Sequence, residues 1–515
     1  MEYLEGIINI STKGVGYVKI EGQAESVVVE PTFLNTALHG DRVKLVLQPK
    51  KTGEPPTGQV VEISLRKRTQ FVGVLVQENG FYFLLPDDKR MYKDFLVSAT
   101  GLRGAQVGDK VLVKMHDWRD PKKDPIGEVV TVIGRPGEHD TEMRAIVYEK
   151  GFEPGFPTVV EAEAEAIKKN APADFKHTLP ARRDFREILT FTIDPADAKD
   201  FDDALSFKKL EDGQIEVGIH IADVAHFVKP GSALDEEARK RATSIYLVDR
   251  TIPMLPHVLS NDLCSLNPNE DKLTFSAVFT FNQKFEISNE WFGRTVIHSD
   301  RRFTYEEVQE ILDNKTGTYF EELKTLNTIA HQLRADKFAA GAISFEKDEI
   351  KFELDPVTGK PLRVIRKERT DSHLLIEDFM LLANRKVAEY VSKIVNNAAK
   401  HFVYRIHDLP DQEKIAQLRN FLTPLGYKLP ADKNGRLEAA DINRLLKETV
   451  GTPEENIIQT VVMRSMAKAI YSTTNIGHYG LAFAHYAHFT SPIRRYPDVM
   501  VHRLLDFYLR GETPS

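Results

Sequence analysis

The segment HGDRVKLVL, which begins at His39, returns as VGDKVLVKM at Val107, and GQVVEI at Gly58 returns as GEVVTVI at Gly127. Because both pairs keep nearly the same separation, one small unit is written twice in tandem ahead of residue 136. Each copy is built from short runs that alternate in polarity, as at Val43, Leu45 and Leu47, with Gly and Pro turns between them and little helical periodicity. Two small β-barrels are therefore expected, over residues 1–64 and 65–135.

Both copies carry aromatic residues on a strand, in GYVKI from Gly16 and GFYFLLPDD from Gly80. Barrels of this size with such strands resemble OB folds of the cold-shock type, whose aromatics stack on single-stranded bases. Strands favour aromatics in any case, so Phe81, Tyr82 and Phe83 are equally suited to filling a core. Charge does not decide between these readings, because basic and acidic residues balance over residues 1–150.

The complete sequence has 515 residues, too many for one ordinary core, and its 28% charged content is that of a globular chain. No run approaches the roughly 18 apolar residues that cross a bilayer, and the start lacks a signal peptide's basic and apolar regions. A cytoplasmic location is expected, which the single cysteine, Cys264, also fits. The net charge of −7 opposes a partner as acidic as nucleic acid unless basic groups are gathered on one surface.

Residues 136–180 read as an acidic, alanine-rich connector with a short helix closed by Pro172. From residue 181 to 515 a larger α/β region follows. Near its start lies TIDPADAKDFDDALSF, residues 192–207, with five aspartates. Ahead of the aspartates, Leu189, Phe191 and Ile193 alternate with Thr190 and Thr192, which predicts a strand with one buried face. Pro195 ends that strand just after Asp194. Beyond the loop, DALSF and IEVGIHIADV read as a hairpin through Asp212-Gly213. A two-residue turn there sets Asp203 opposite Ala222, and brings Asp223 towards the aspartate loop.

Carboxylates crowded in this way repel one another unless they share protons or hold cations. All-oxygen donors favour Mg²⁺ or Mn²⁺, and the lack of nearby cysteine or an HExxH pair speaks against zinc. An EF-hand is excluded because Ala196, Ala198 and Leu205 stand where ligands are required. The bland reading is a solvated acidic loop. Against it stands YAHFTSPIRRYPDVMVHR, residues 486–503, which sets Arg494 and Arg495 on a constrained turn before an apolar helix. Arginine on a rigid turn suits bidentate contact with phosphate, although capping of acidic neighbours is the default for such a pair. Together, loop and turn point to in-line chemistry at a phosphate ester.

Those two segments, with VGIHIADVAHFV, TSIYLVDRTIPMLPHVLSNDLCSLNP and HLLIEDFMLLANRKVA, resemble the catalytic RNB domain of the ribonuclease II and ribonuclease R family, and the tandem barrels are that family's usual N-terminal arrangement. RRYPD and LCSLNP are more similar to the ribonuclease R branch. The resemblance implies an α+β multidomain chain, two OB-type cold-shock-like barrels followed by a large α/β RNB domain. It also implies a processive hydrolytic exoribonuclease that degrades single-stranded RNA from a free 3′ end to nucleoside 5′-monophosphates with Mg²⁺ or Mn²⁺. No membrane association and no obligate protein partner are expected. The family's four catalytic aspartates correspond to Asp194, Asp200, Asp202 and Asp203, all candidate metal ligands, with Asp194 and Asp203 the direct ones and Asp202 the least tolerant of change. Asp197 has no counterpart. Tyr246 matches the tyrosine that stacks on the 3′-terminal nucleotide, and Phe345 or Phe352 the second aromatic of the clamp. Arg494 matches the arginine on the scissile phosphate, and Glu377 an acidic substrate contact on a helix with Leu375, Phe379 and Leu382. The family normally continues into a third OB-type domain, absent from this sequence, so weaker RNA binding is expected. Two other readings remain: a catalytically decayed RNA-binding relative, and a Mg²⁺-dependent phosphotransferase with an aspartyl-phosphate on DFDD.

Overall fold

In the computed structural model the described residues are 3–20, 25–49, 55–344, 349–355, 358–394, 401–430 and 437–512. Contacts divide the chain into two units, residues 1–155 with 355–360, and residues 156–354 with 361–515. No helix among the described residues is long and apolar enough to cross a membrane.

In the first unit, strands β1 (Leu4–Ile10), β2 (Gly16–Ile20), β3 (Val27–Val29), β4 (Arg42–Leu47) and β5 (Gly58–Leu65) form a sheet in the order β3-β2-β1-β4-β5. Period-two alternation sends Ile8, Ile10, Val18, Val43 and Leu45 inward. Strands β6 (Gln70–Glu78), β7 (Phe81–Pro86), β8 (Phe95–Val97), β9 (Lys110–Met115) and β10 (Ile126–Gly134) form a closed barrel. Its core includes Phe71, Leu75, Leu84 and Phe95. Helix α1 (His139–Glu149) packs on it through Ala145 beside Val72, Leu112 and Ile133. Tyr17 and Phe81 are 44% and 60% exposed, so neither is a core filler.

The repeated Gly-Asp has a structural cause. Gly40 and Gly108 both lie at φ +89°, in the left-handed region that glycine enters without a steric cost. The next residue folds back: an Asp41 oxygen accepts from the Leu38 N–H at 2.8 Å, and an Asp109 oxygen accepts from the Gln106 N–H at 2.8 Å. Both turns deliver the chain into a central strand. Gly108→Ala is expected to destabilise the first unit by about 1–2 kcal/mol, the cost of a side chain in that conformation, read as a lower denaturation midpoint.

The second unit opens with helix α2 (Thr158–Thr178), which runs through Pro172 instead of stopping there. A proline removes one hydrogen bond, but Val160, Ala164, Ile167 and Phe175 pack into a single cluster on both sides of it and hold the helix together. Strands β11 (Arg183–Asp184), β12 (Thr190–Asp194), β13 (Asp203–Lys209) and β14 (Ile215–Ala222) follow, then helices α3 (Val224–Phe227) and α4 (Ala233–Arg241). A two-stranded ribbon, β15 (Ile245–Tyr246) and β16 (Thr251–Ile252), precedes β17 (Asp271–Phe281), β18 (Ile287–His298) and β19 (Arg301–Thr304). The main sheet has the order β11-β18-β17-β14-β13-β12-β19. Helices α5 (Tyr305–Asn314), α6 (Phe320–Ala339) and α7 (Asp371–Ile394) bury their apolar residues with Phe191, Leu205, Ile219 and Phe275 of the sheet. Hairpin β20 (Glu349–Leu354) and β21 (Pro361–Lys367) lies between α6 and α7 in the sequence. Helices α8 (Gln412–Leu422), α9 (Ala439–Thr449) and α10 (Glu455–Ser465) share a separate core of Ile415, Leu418, Leu445 and Ile458. The last helix, α11 (Tyr496–Leu509), packs Val501 and Leu505 into the main core.

Two sequence expectations are corrected here. Strand β12 is covered on both faces, because Thr190 and Thr192 are as fully buried as Phe191. The second face is tolerable because it is polar and largely bonded: His220 is held between the hydroxyls of Ser206 and Ser276 at 2.8 and 2.7 Å, and burial lowers its pKa to about 3, so the ring is neutral. The hairpin turn closes between Leu210 and Gln214, which leaves three residues in the loop. Asp203 is consequently opposite Ile221, one place from the expected Ala222.

Candidate active site

Strand β12 ends at Asp194 and strand β13 begins at Asp203, antiparallel neighbours in the sheet, so the intervening loop returns the chain to the same edge. The Arg302 guanidinium of β19 donates to the carbonyls of Pro195 and Ala196 at 2.6 and 2.9 Å and holds the first half of that loop. Asp194, Asp200, Asp202 and Asp203 all line one cavity of 1180 Å³ together with Tyr246, Tyr305, Arg369, His373, Glu377 and Arg494. Asp197 reaches the rim of the cavity as an exposed residue.

The turn that carries the arginines is clipped to this loop. An Asp202 oxygen accepts from the Ile493 N–H at 2.9 Å, and its other oxygen lies 3.4 Å from Arg494 Nε. The Arg494 carbonyl accepts from the Ser244 N–H and the Thr243 hydroxyl, both at 3.0 Å, while its guanidinium donates to Ser491 Oγ at 2.9 Å. Its side chain remains 44% exposed, available to an anion in the cavity. Arg495 takes the other role, bound to Asp498 at 2.8 Å. The two adjacent arginines thus divide the two readings between them.

Burial raises the pKa of Asp194 to about 7, with Asp200 adding repulsion. Asp202 also rises to about 7 through burial, against the pull of Arg494. Burial, then Asp194 and then Asp202, push Asp203 well above the usual carboxylate range, and burial raises Asp200. The site stores unfavourable charge that a cation relieves. Mg²⁺ or Mn²⁺ fits these donors. One oxygen of Asp194 is buried without a hydrogen-bond partner, and the neighbouring Asp203 supplies a second hard oxygen. No three His, Cys, Asp or Glu side chains among the described residues are gathered at ligating spacing. A magnesium ion needs only one or two carboxylates, the rest of its shell coming from water and substrate phosphate.

Tyr246 directs its hydroxyl to Asp200 at 3.5 Å, and its ring is 54% exposed. Burial and the neighbouring Asp200 push the phenol upward, so it stays protonated. Glu377 faces the cavity on α7, paired with Arg369. Phe352 lies in β20 opposite Val364 and is not among the cavity residues, while Phe345 falls outside the described residues. Asp223 does not join the cluster. It is buried between Arg182, at 2.7 Å, and Arg294, and although burial would raise its pKa, those two cations hold it well below the normal range.

The sequence did not reveal Tyr305 and His373, whose rings stack with centroids 4.1 Å apart on the cavity wall. TYEE does signal a helix start, and Thr304 and Glu307 form a capping box, but this says nothing about where Tyr305 points. The convergence of all four aspartates with Arg494 on one cavity weighs against a protein that only binds RNA.

Three stretches of the chain are similar to known families. The RNB domain matches residues 182–511, the ribonuclease B OB domain residues 6–63, and a cold shock domain residues 83–157. Ribonuclease R of Thermotoga maritima is 38% identical across 98% of this chain and 71% of its own length. Ribonuclease R of Escherichia coli is 34% identical across 99% of this chain and 62% of its own length. The structure of Mycoplasma genitalium RNase R in complex with ribose-methylated single-stranded RNA superposes with a TM-score of 0.88 at 26% identity, covering 98% of this chain and 79% of that one.

Proposed function

Since the chain belongs to the RNB family of 3′→5′ exoribonucleases, in its ribonuclease R branch, we propose that this cavity hydrolyses single-stranded RNA processively from a free 3′ end and releases nucleoside 5′-monophosphates with Mg²⁺ or Mn²⁺. The observation that carries the reading is the single cavity in which four carboxylates, an exposed arginine and an exposed tyrosine meet. The exposed ring of Tyr246 stacks on the terminal base, a contact indifferent to sequence because every base has a π-face. Arg494, balanced by Asp202, grips the scissile phosphate and neutralises charge that grows on its oxygens. Asp194 and Asp203 would hold a divalent ion, whose chemistry when bound would be to activate a water and steady the leaving oxygen. Asp200 and Glu377 orient neighbouring groups, the first through the Tyr246 hydroxyl and the second through Arg369.

The test is digestion of 5′-labelled single-stranded RNA with Mg²⁺ or Mn²⁺. Loss of one nucleotide at a time from the 3′ end, abolished by EDTA and not seen on DNA, is the expected result. Internal cuts or metal-independent cleavage would overturn the reading. Tyr246→Ala is expected to leave hydrolysis in place but to lengthen the final remnant, since one stacking contact is worth about 1–3 kcal/mol. An unchanged remnant on a sequencing gel removes Tyr246 from the base contact.

A further inference from the structure

We propose that Ser265 is a positioning residue whose hydroxyl sets the peptide groups on both sides of Asp200, and through them the geometry in which the loop aspartates receive a divalent ion. The proposal rests on the metal-dependent reading above. Ser265 belongs to LCSLNP, a motif without any chemical pattern of its own, and it is fully buried. Its Oγ donates to the Lys199 carbonyl at 2.9 Å and accepts from the Phe201 N–H at 3.0 Å. The first group belongs to the peptide before Asp200 and the second to the peptide after it. One hydroxyl therefore spans both, and the Asp200 backbone has little freedom left.

The clamp continues along the loop. The Leu266 N–H donates to the Phe201 carbonyl at 3.0 Å, and the Ala222 N–H donates to the Asp202 carbonyl at 2.9 Å. Asn267 Oδ1, 3.2 Å from Ser265 Oγ, is a more distant acceptor for the same hydroxyl proton. Ser265 is itself held rigidly, because Cys264 and Leu266 on either side are core residues of one apolar cluster. Such a clamp is needed here for a physical reason. Residues 195–202 have no helix or strand to fix them, and the carboxylates they carry repel one another, so an unrestrained loop would splay until an ion bound it. Serine at position 265 holds Asp200 in place beside Asp194 in advance, so an ion that Asp194 and Asp203 would hold meets a set carboxylate cluster and binds without an ordering cost.

The experiment compares wild type with Ser265→Ala and Ser265→Cys. The cysteine variant keeps nearly the same volume in the core and lacks a strong hydroxyl hydrogen bond, so it remains informative if the alanine variant does not fold. Mn²⁺ binding is measured by calorimetry without RNA, kcat and KM on single-stranded RNA at varied Mn²⁺, and RNA affinity by anisotropy in EDTA. The expected result is a loss of Mn²⁺ affinity and of kcat by about 10–100-fold, the usual effect of removing a group that orients a ligand, with KM and the EDTA affinity for RNA unchanged. Ser265→Thr, which restores the hydroxyl, is expected to recover most of the loss. Unchanged Mn²⁺ affinity in the variants overturns the proposal, and so does a parallel loss of RNA affinity in EDTA, which would mean general loosening of the fold. If the wild type itself neither binds Mn²⁺ nor shortens RNA, it is the proposed function that fails.

Discussion

Asp202→Asn is expected to lower kcat on single-stranded RNA by about 10³-fold or more while RNA binding in EDTA stays near that of the wild type. Asparagine has the same shape and retains the oxygen that accepts from the Ile493 N–H, so the clip between the aspartate loop and the arginine turn survives. What it removes is the charge beside Arg494. The second Asp202 oxygen lies 3.4 Å from Arg494 Nε, and an amide there presents either a neutral oxygen or an N–H that opposes the guanidinium. Single-turnover rates at saturating Mn²⁺ provide the measurement. A variant that keeps a rate within about tenfold of the wild type would remove Asp202 from the chemistry, since a preorganised charge at the reacting phosphate is normally worth more than that.

In the metal-free protein the aspartate cluster is expected to contribute stability at pH 5 that is lost by pH 8, the reverse of the usual behaviour of carboxylates paired with cations. In the unfolded chain these carboxyls ionise near 4, whereas in the folded chain Asp194 and Asp202 keep their protons up to about pH 7. At these two sites the folded state therefore binds more protons between roughly pH 4 and 7, and their contribution to stability falls as pH rises through that window. For a single buried group the loss is on the order of 4 kcal/mol. Asp223, whose pKa is lowered by Arg294 and Arg182, has the opposite sign, but its contribution disappears only in stronger acid. The buried histidines His220, His478 and His488, held neutral in the fold, also oppose the aspartates, because the unfolded chain takes up their protons below about pH 6.5, so the share of the cluster is the difference between wild type and Asp194→Asn. Melting curves in EDTA at pH 5 and 8 test the prediction. Asp194→Asn should gain stability at pH 8 relative to pH 5 when compared with the wild type, and Mn²⁺ should stabilise the wild type at pH 8 and the variant much less. A metal-free pH dependence that is the same in wild type and Asp194→Asn would show that these carboxylates are not held apart from water as the structure places them.

The sequence by itself determined the features with a local cause. A glycine that must enter the left-handed region and an aspartate that folds back on the turn recur in tandem because each barrel needs that corner, so the repeat was readable as two barrels. A proline after Asp194 ends a strand whatever surrounds it, which placed the aspartate loop at a sheet edge. The aspartate cluster and Arg494 were legible from the residues, and Tyr246 and Glu377 through the family resemblance; the structure gathers them on one cavity. Where the decisive contact lay elsewhere in the chain, the same kind of reading failed. Pro172 should close a helix, yet packing on both sides of it carries α2 onward. Asp223 reads in sequence as one of the converging carboxylates, yet Arg182 and Arg294 surround it. The division between Arg494 and Arg495, the stacking of Tyr305 on His373 and the two bonds of Ser265 were likewise invisible. Only tertiary structure decided them, because a hydrogen bond such as that from the Ile493 N–H to Asp202 joins groups 291 residues apart. Local backbone preference carries no record of a partner so distant, and burial, which sets both its strength and the charge of the groups it joins, exists only once the chain has folded.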